Sequence, residues 1–211
     1  MYDLAIGMIT YNRPDAFRQT FDSYLNNIKG MKLEQVAIVI CVDDLDSTYV
    51  EDYFNDSTMP IPILKKNLTI IHHDRAGMPK QWNRMVKECE KLSDFTLCLQ
   101  DDWVALKPMD VRHHIEVLRT IPSVGMIRYY HLAGHIGLLC GVTDVSGELW
   151  FYLYPNEKPQ FSPYSGGVHL RHRRFTNHYG YYLESINEFE IPTRNEIVSG
   201  KQSFYSMAFG S

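Results

Sequence analysis

The chain has 211 residues, of which 45% are hydrophobic, 13% aromatic and 22% charged, and its formal net charge is −4. Plentiful aromatic residues exclude intrinsic disorder, and a mildly acidic chain gives no reason to expect nucleic-acid binding. The longest uncharged stretch, residues 129–143, is too short and too polar for a membrane span, and the N-terminus has no secretory signal pattern. We therefore predict one globular domain over 1–211, in the cytoplasm, with reduced cysteines.

The first half of the sequence alternates apolar, strand-like runs with amphipathic, helix-like segments. Pro14 and Pro79 stand where two helices are expected to begin, and Asp110 is placed to cap a third. The alternation predicts a mostly parallel sheet flanked by helices, which is an α/β Rossmann-like architecture. The predicted strands of this part are Leu4–Thr10, Val36–Val42, 68–71, 95–99 and 125–130.

The pattern is looser after residue 130. Residues 148–154 and 167–170 are strand-like, and helical spacing begins at Arg171. We therefore expect a nucleotide-binding half over 1–105 and a smaller, mixed half over 106–211.

Polar side chains follow four successive strands, where each strand ends. Tyr11 and Arg13 follow the first, and Asp43 and Asp44 follow the second. Because ligands of open parallel sheets bind beyond the carboxyl ends of the strands, these loops are expected to converge on one site. For any single loop, ordinary turn chemistry explains the polarity equally well. The remaining two loops contribute Arg75, Gly77, Asp101 and Asp102.

The chemistry of these side chains suits a nucleoside diphosphate. Tyr11 can stack on a base, and the Asp43 carboxylate can accept an imide N–H. Arg75 and Lys80 lie near a predicted helix start, where positive charge and free backbone N–H groups favour phosphate. A carboxylate pair suits a hard divalent cation, although such a pair taken alone is more often a turn.

Three segments resemble the GT-A-fold, family-2-like glycosyltransferases. The first segment, residues 5–14, contains most of the first strand and the loop after it and reads AIGMITYNRP. The second, residues 42–48, begins at the end of the second strand and reads VDDLDST. The third, residues 75–103, reads RAGMPKQWNRMVKECEKLSDFTLCLQDDW. The resemblance covers about the first 105 residues. It implies a nucleotide-sugar donor, with UDP as the nucleotide, and an inverting hexosyl transfer to a glycan acceptor. The donor-binding positions are Thr10, Tyr11, Arg13, Asp43, Asp44, Arg75, Gly77, Lys80, Asn83 and Asp101.

The resemblance also implies a metal and a catalytic base, but the motifs differ from the family pattern. The family's D-x-D motif is Gln100-Asp101-Asp102 here, so the ligand for Mn²⁺ or Mg²⁺ is Asp102 or Asp101, with His169 as a late third ligand. The family's acidic motif on the acceptor side is replaced by Glu188-Phe189-Glu190. We expect Glu190 as the base, followed by Glu188 and then Glu184.

Several alternatives remain open at this point. A sugar-1-phosphate nucleotidyltransferase would also bind a nucleotide and a metal, but a glycine-rich loop is expected after its first strand. A non-catalytic carbohydrate-binding module could keep the same fold. The basic run of residues 169–174 is either a solvated face or a binding site for phosphate or an acidic acceptor. The chain also resembles the N-terminal glycosyltransferase domain of multidomain proteins from large chlorella viruses, which implies viral glycosylation in the host cytoplasm.

Overall fold

The structure is a computed structural model that describes residues 1–56, 66–75, 77–122, 124–129, 139–145, 148–153, 167–182 and 205–209. None of the helices in these ranges is long and apolar enough to cross a bilayer. Glu184, Glu188 and Glu190 lie outside the described residues, so the predicted base remains a prediction.

The described residues form eleven strands and five α-helices. The strands are β1 (Leu4–Thr10), β2 (Ile28–Lys29), β3 (Val36–Val42), β4 (Leu68–His72), β5 (Phe95–Gln100), β6 (Met109–Asp110), β7 (Val124–Arg128), β8 (Leu139–Val145), β9 (Glu148–Leu153), β10 (His169–His172) and β11 (Tyr205–Phe209). The helices are α1 (Pro14–Asn27), α2 (Tyr49–Asn55), α3 (Met78–Leu92), α4 (Val111–Thr120) and α5 (Arg173–Tyr179).

Nine of these strands form one sheet, in the order β4-β3-β1-β5-β10-β7-β11-β9-β8. The first four are parallel to one another, whereas β10 runs antiparallel to both β5 and β7. The predicted parallel sheet with a mixed C-terminal region is therefore confirmed. Strands β2 and β6 pair with each other outside this sheet.

Strands β1 and β3 are buried on both faces because helices cover both sides of this part of the sheet. Leu4, Ile6 and Met8 of β1 point into a core that includes Phe17 and Phe21 of α1. Alternate residues of the same strands point to the opposite side, where Trp82 and Met85 of α3 pack on Ala5, Ile9, Ala37 and Val39. This two-sided burial explains why β1 and β3 are continuous apolar runs rather than alternating ones.

The sequence analysis missed α2 and the strands β2, β6, β8 and β11, and it placed a helix start at Arg171 where β10 continues to His172. The missed helix is only seven residues long, and its stability comes from packing. Its Tyr53 and Phe54 contact Phe21 of α1 edge-on, at ring-centroid distances of 5.8 and 5.4 Å. A helix this short is marginal without such tertiary contacts.

Gly7 of β1 lies directly under α3. A Cβ atom at this position would be 2.6 Å from the Met85 sulfur and 2.8 Å from the Cys89 sulfur. Cys41, Cys89 and Cys98 are buried free thiols, as the cysteine pattern predicted. The contact between α3 and β1 therefore depends on the absence of a side chain at residue 7.

We predict that Gly7→Ala lowers the free energy of unfolding by about 1–3 kcal/mol, because the added methyl group overpacks the interface. Urea unfolding measures the change. The double variant Gly7→Ala/Cys89→Ala should recover part of the loss, because it removes the Cys89 sulfur, one of the three atoms within 3.0 Å of the added Cβ. Equal stabilities of Gly7→Ala and the wild type would contradict the close packing of α3 on β1.

Candidate active site

The Asp101 carboxylate joins the carboxyl ends of β1 and β5. Its Oδ2 accepts hydrogen bonds from the Thr10 hydroxyl (2.8 Å) and the Tyr11 backbone N–H (3.3 Å). Its Oδ1 lies 3.4 Å from Nη1 of Arg13, and its backbone carbonyl accepts from the Thr20 hydroxyl at 3.0 Å. The loops that follow β1 and β5 are therefore held to each other through one residue.

Asp101 is a buried carboxylate with mixed electrostatic surroundings. Burial raises its pKa, whereas the hydrogen bonds from Thr10 and Tyr11 and the charge of Arg13 act in the opposite direction. The Thr10 hydroxyl also lies 2.7 Å from the phenol oxygen of Tyr49, and burial raises the pKa of that phenol. Thr10 is therefore engaged on both sides, and α2 is tied to the end of β1.

Asp102 has a different environment from its neighbour. The Asp102 side chain is 46% exposed, against 5% for Asp101, and its only described ion pair is with Arg13 at 3.6 Å. The sequence left the choice between the two carboxylates open. The structure shows that one of them organises the loops, while the other faces solvent and is accessible to a ligand.

Three predicted nucleotide contacts lie at the same edge of the sheet. Asp43 directly follows β3 and is 6% exposed, and its backbone N–H donates to the Thr10 carbonyl at 3.0 Å. Tyr11 is 39% exposed, and the Arg75 guanidinium carbon lies 4.8 Å from the centroid of its ring. The loops after β1, β3 and β4 are therefore close together, as the sheet topology predicted.

His72 holds the next loop in place, and the sequence analysis did not assign it this role. Its Nε2 lies 2.6 Å from a carboxylate oxygen of Glu51 on α2, and its Nδ1 lies 3.0 Å from the Asp44 carbonyl. Burial lowers the pKa of His72, but these two contacts outweigh that effect and raise it above the ordinary value. The sequence could not reveal this link because α2 itself was not predicted.

Gly77, Lys80 and Asn83 belong to the start of α3. Gly77 precedes the helix with a φ of +81°, a backbone conformation that favours glycine. Lys80 is exposed, but Asn83 is 1% exposed, and its amide exchanges two 2.8 Å hydrogen bonds with the backbone of Tyr182. In this structure Asn83 therefore holds the segment after α5, and donor binding by Asn83 remains a prediction.

His169 is the first residue of β10 and is fully buried. Its Nδ1 lies 2.7 Å from the Gly167 carbonyl, and its ring stacks on Trp82 at a centroid distance of 5.6 Å. Among the residues that the structure describes, no group of three His, Cys, Asp or Glu side chains is arranged to hold a metal. The predicted set of Asp101, Asp102 and His169 is therefore not a preformed three-ligand cluster.

The basic run that ends β10 has a structural role that differs from both expectations. Arg171 is 2% exposed and faces Glu90 of α3 at 4.0 Å, and Arg173 pairs with Asp94 at 2.7 Å. Arg174 donates to the backbone carbonyls of Leu118 and Ile121 at the C-terminal end of α4 and, at 2.7 Å, to that of Val124 at the start of β7. These side chains hold α5 against α3 and α4, so neither a solvated face nor a phosphate site describes them.

Solved structures share this architecture at low sequence identity. The mannosyltransferase PcManGT from Pyrobaculum calidifontis, solved with GDP-Man and Mn²⁺, matches 88% of this chain with a TM-score of 0.58 and 12% identity. TarS from S. aureus, solved with UDP, matches 98% with a TM-score of 0.56 and 15% identity. GalNAc-T7, solved with UDP, GalNAc and Mn²⁺, matches 99% with a TM-score of 0.58 and 14% identity.

The chain has the GT-A fold. It spans about half the length of these solved chains, covering 49% of PcManGT, 60% of the TarS fragment 1–349 and 44% of GalNAc-T7. Neither a protein-family model nor a curated protein sequence matches the chain. At 12–15% identity the comparison establishes the fold, and the chemistry has to be argued from the side chains of this chain.

We predict that Asp101→Asn lowers the free energy of unfolding by about 1–3 kcal/mol, because the amide has one acceptor oxygen where the carboxylate has two, so it cannot accept from both Tyr11 and Arg13. Urea unfolding measures the loss. The adjacent variant Asp102→Asn is the control, and its exposed side chain should change stability by less than about 0.5 kcal/mol. If both variants have equal stabilities, Asp101 does not hold the two loops together.

Proposed function

We propose that this chain is a metal-dependent glycosyltransferase that transfers a hexose from a nucleoside-diphosphate sugar. The observation that carries the proposal is the edge of the GT-A sheet, where Tyr11, Asp43, Arg75 and the Asp101–Asp102 pair meet. The aromatic face of Tyr11 suits a base, and the buried Asp43 carboxylate suits the polar edge of that base. The Arg75 guanidinium suits a phosphate, and the exposed Asp102 carboxylate suits a cation. The ligands of the solved GT-A structures, which include UDP, GDP-Man and Mn²⁺, support the same class of donor.

We propose UDP as the nucleotide part of the donor. Tyr11 is half-exposed and can stack on the base once the Arg75 guanidinium, now over its ring, moves aside or lies against the base from the other face. Asp43 is buried beside the end of β3 and can accept the imide N–H of uracil. The rest of the donor is proposed to contact residues at the end of β1, in the loops of this edge and in the first turn of α3, namely Thr10, Arg13, Asp44, Gly77 and Lys80.

The metal would be held by Asp102 together with oxygens of the donor diphosphate. Asp102 fits a hard divalent cation such as Mn²⁺ or Mg²⁺, because it offers an accessible carboxylate, whereas the oxygens of Asp101 are already engaged by Thr10, Tyr11 and Arg13. A bound cation supplies charge stabilisation to the leaving diphosphate. His169 is a weaker candidate because it is buried against Trp82.

The transfer also needs a base on the acceptor side of the donor. An acceptor hydroxyl attacks the anomeric carbon, the bond to the diphosphate breaks, and a carboxylate takes the hydroxyl proton. We propose that Glu190 is the carboxylate that takes this proton, with Glu188 and then Glu184 as the next candidates. The proposed reaction inverts the anomeric configuration and uses a glycan acceptor. The viral, multidomain and cytoplasmic context belongs to the same proposal and rests on the sequence resemblance.

We predict that nucleotide binding requires both the cation and Asp102. Calorimetric titration of UDP in the presence of Mn²⁺ should show a loss of affinity of at least about tenfold with EDTA or with Asp102→Ala, because charge-assisted contacts to the diphosphate are removed. The control is Asp3→Ala, since Asp3 has a similar exposure of 45% and lies at the opposite end of β1. Metal-independent UDP binding would contradict this assignment.

We predict that one of the variants Glu190→Gln, Glu188→Gln and Glu184→Gln loses about 10²–10⁴ in kcat, because the amide keeps the shape of the side chain but cannot accept the proton. Donor turnover with a glycan acceptor measures kcat, and calorimetry should show unchanged UDP binding in the same variant. Full activity in all three variants would remove this segment from the mechanism, and retention of the anomeric configuration would remove the need for such a base.

A further inference from the structure

Gln81, at the end of the first turn of α3, has a buried side-chain amide nitrogen for which the described residues provide no acceptor. The residue is 4% exposed, and no hydrogen-bond partner for its Nε2 atom lies in the part of the chain that the structure describes. Because a buried N–H donor without an acceptor is unfavourable, a native structure keeps one only where something else accepts from it. The position of this amide indicates what that acceptor is.

The flank of α3 that carries Gln81 faces β3. Gln81, Arg84 and Glu88 are spaced i, i+3 and i+7, so they share one side of the helix. Burial raises the pKa of Cys41 on β3 to about 12, and the nearby charges of Glu88 and Arg84 act on the same thiol. This flank therefore lies over β3.

Gln81 is the residue of this flank closest to the binding edge. The helix begins just after β4 ends, so its N-terminus lies at the carboxyl edge of the sheet. From Arg84 to Gln81 the helix rises about 4.5 Å toward that edge. Asp43 directly follows β3, and its charge acts on both Cys41 and His73, so its carboxylate lies near the side of β3 that α3 covers. Gln81 and Asp43 are thereby brought to neighbouring positions.

His73 belongs to the same group. Its backbone N–H donates to the Val42 carbonyl, and its Nε2 is a second buried atom for which the described residues provide no partner. Burial and Arg84 lower the pKa of His73, while the charge of Asp43 acts in the opposite direction, so the imidazole lies close to that carboxylate. Asp43, His73 and Gln81 together are called the Asp43 cluster below.

The Asp43 cluster is complementary to an imide edge, in which an N–H is flanked by carbonyl oxygens. A carboxylate alone accepts the N–H but repels an adjacent carbonyl, so recognition of that edge needs a donor beside the carboxylate. We propose that Gln81 determines base specificity by donating its side-chain amide N–H to a uracil carbonyl oxygen next to the imide N–H that Asp43 accepts. This inference rests on the proposed function, because it assumes a uridine diphosphate donor.

The test compares Gln81→Met with the wild type by calorimetric titration of UDP in the presence of Mn²⁺. Methionine keeps the length of the side chain and removes the buried donor, so the variant without nucleotide should melt at the same temperature as the wild type or higher. Its affinity for UDP should fall about tenfold, as expected for the loss of one buried hydrogen bond. The matched control is Gln35→Met, because Gln35 also has a buried, unpartnered amide oxygen among the described atoms but precedes β3 at the opposite edge.

Thio-substituted nucleotides separate a direct contact from an indirect structural effect. Wild-type protein should bind UDP more tightly than one of two analogues, 4-thio-UDP or 2-thio-UDP, because sulfur is a weaker hydrogen-bond acceptor than oxygen. The Gln81→Met variant should bind UDP and that same analogue with equal affinity. If Gln81→Met does not fold, Gln81→Glu replaces it, and the added acceptor should weaken UDP binding at least as strongly.

The outcomes are distinguishable. Equal UDP affinity of Gln81→Met and wild type, or an unchanged preference for UDP over both thio analogues in the variant, would overturn the role of Gln81 and leave the proposed function intact. If wild-type protein binds neither UDP nor UDP-GlcNAc, the proposed donor is wrong and this inference fails with it.

Discussion

The candidate site depends on one buried carboxylate between the ends of two neighbouring strands. Asp101 accepts from the side chain of Thr10 and the backbone of Tyr11, and it faces Arg13. These contacts compensate the desolvation that raises its pKa, and they fix the distance between the loops after β1 and β5. Because this scaffold role occupies Asp101, its exposed neighbour Asp102 is left to meet a ligand. Two adjacent residues of the same type thus differ in their contacts because they differ in burial.

The alternation of side chains along the central strands divides the site into two sides. Thr10 of β1 points toward α1 and α2, where it meets Tyr49 and Asp101. Cys41 of β3 packs on the opposite side, and the Asp43 charge acts on that thiol and on His73, so the Asp43 carboxylate lies on the side where Gln81 and His73 have buried polar atoms without a partner among the described residues. One side thereby holds the loops after β1 and β5 together, and the other side carries the buried polar groups on which the proposed base recognition depends. The period of two in a strand is the physical origin of this division.

The C-terminal half is fixed to the nucleotide half through buried polar contacts as well as apolar packing. Arg171 faces Glu90, Arg174 binds carbonyls at the end of α4, and Asn83 holds the backbone of Tyr182. Removing one partner from such a buried contact leaves a charge or an amide unpaired, which is more unfavourable than losing an exposed ion pair. The geometry of β10, which carries His169 into the centre of the sheet, is therefore coupled to the start of α3.

The sequence by itself determined the parallel core and the edge of the sheet at which the polar loop residues meet. Runs such as Val36–Val42 are apolar throughout because both faces are covered, and polar residues follow them because the chain leaves the core there. It did not determine α2, because a seven-residue helix forms only against the rings of α1. It could not separate Asp101 from Asp102 or assign the basic run, because burial and partners more than 80 residues away decide those roles. Local pattern specifies strands and helices, whereas the environment of a polar side chain is set by residues distant in sequence, and only the tertiary structure brings them together.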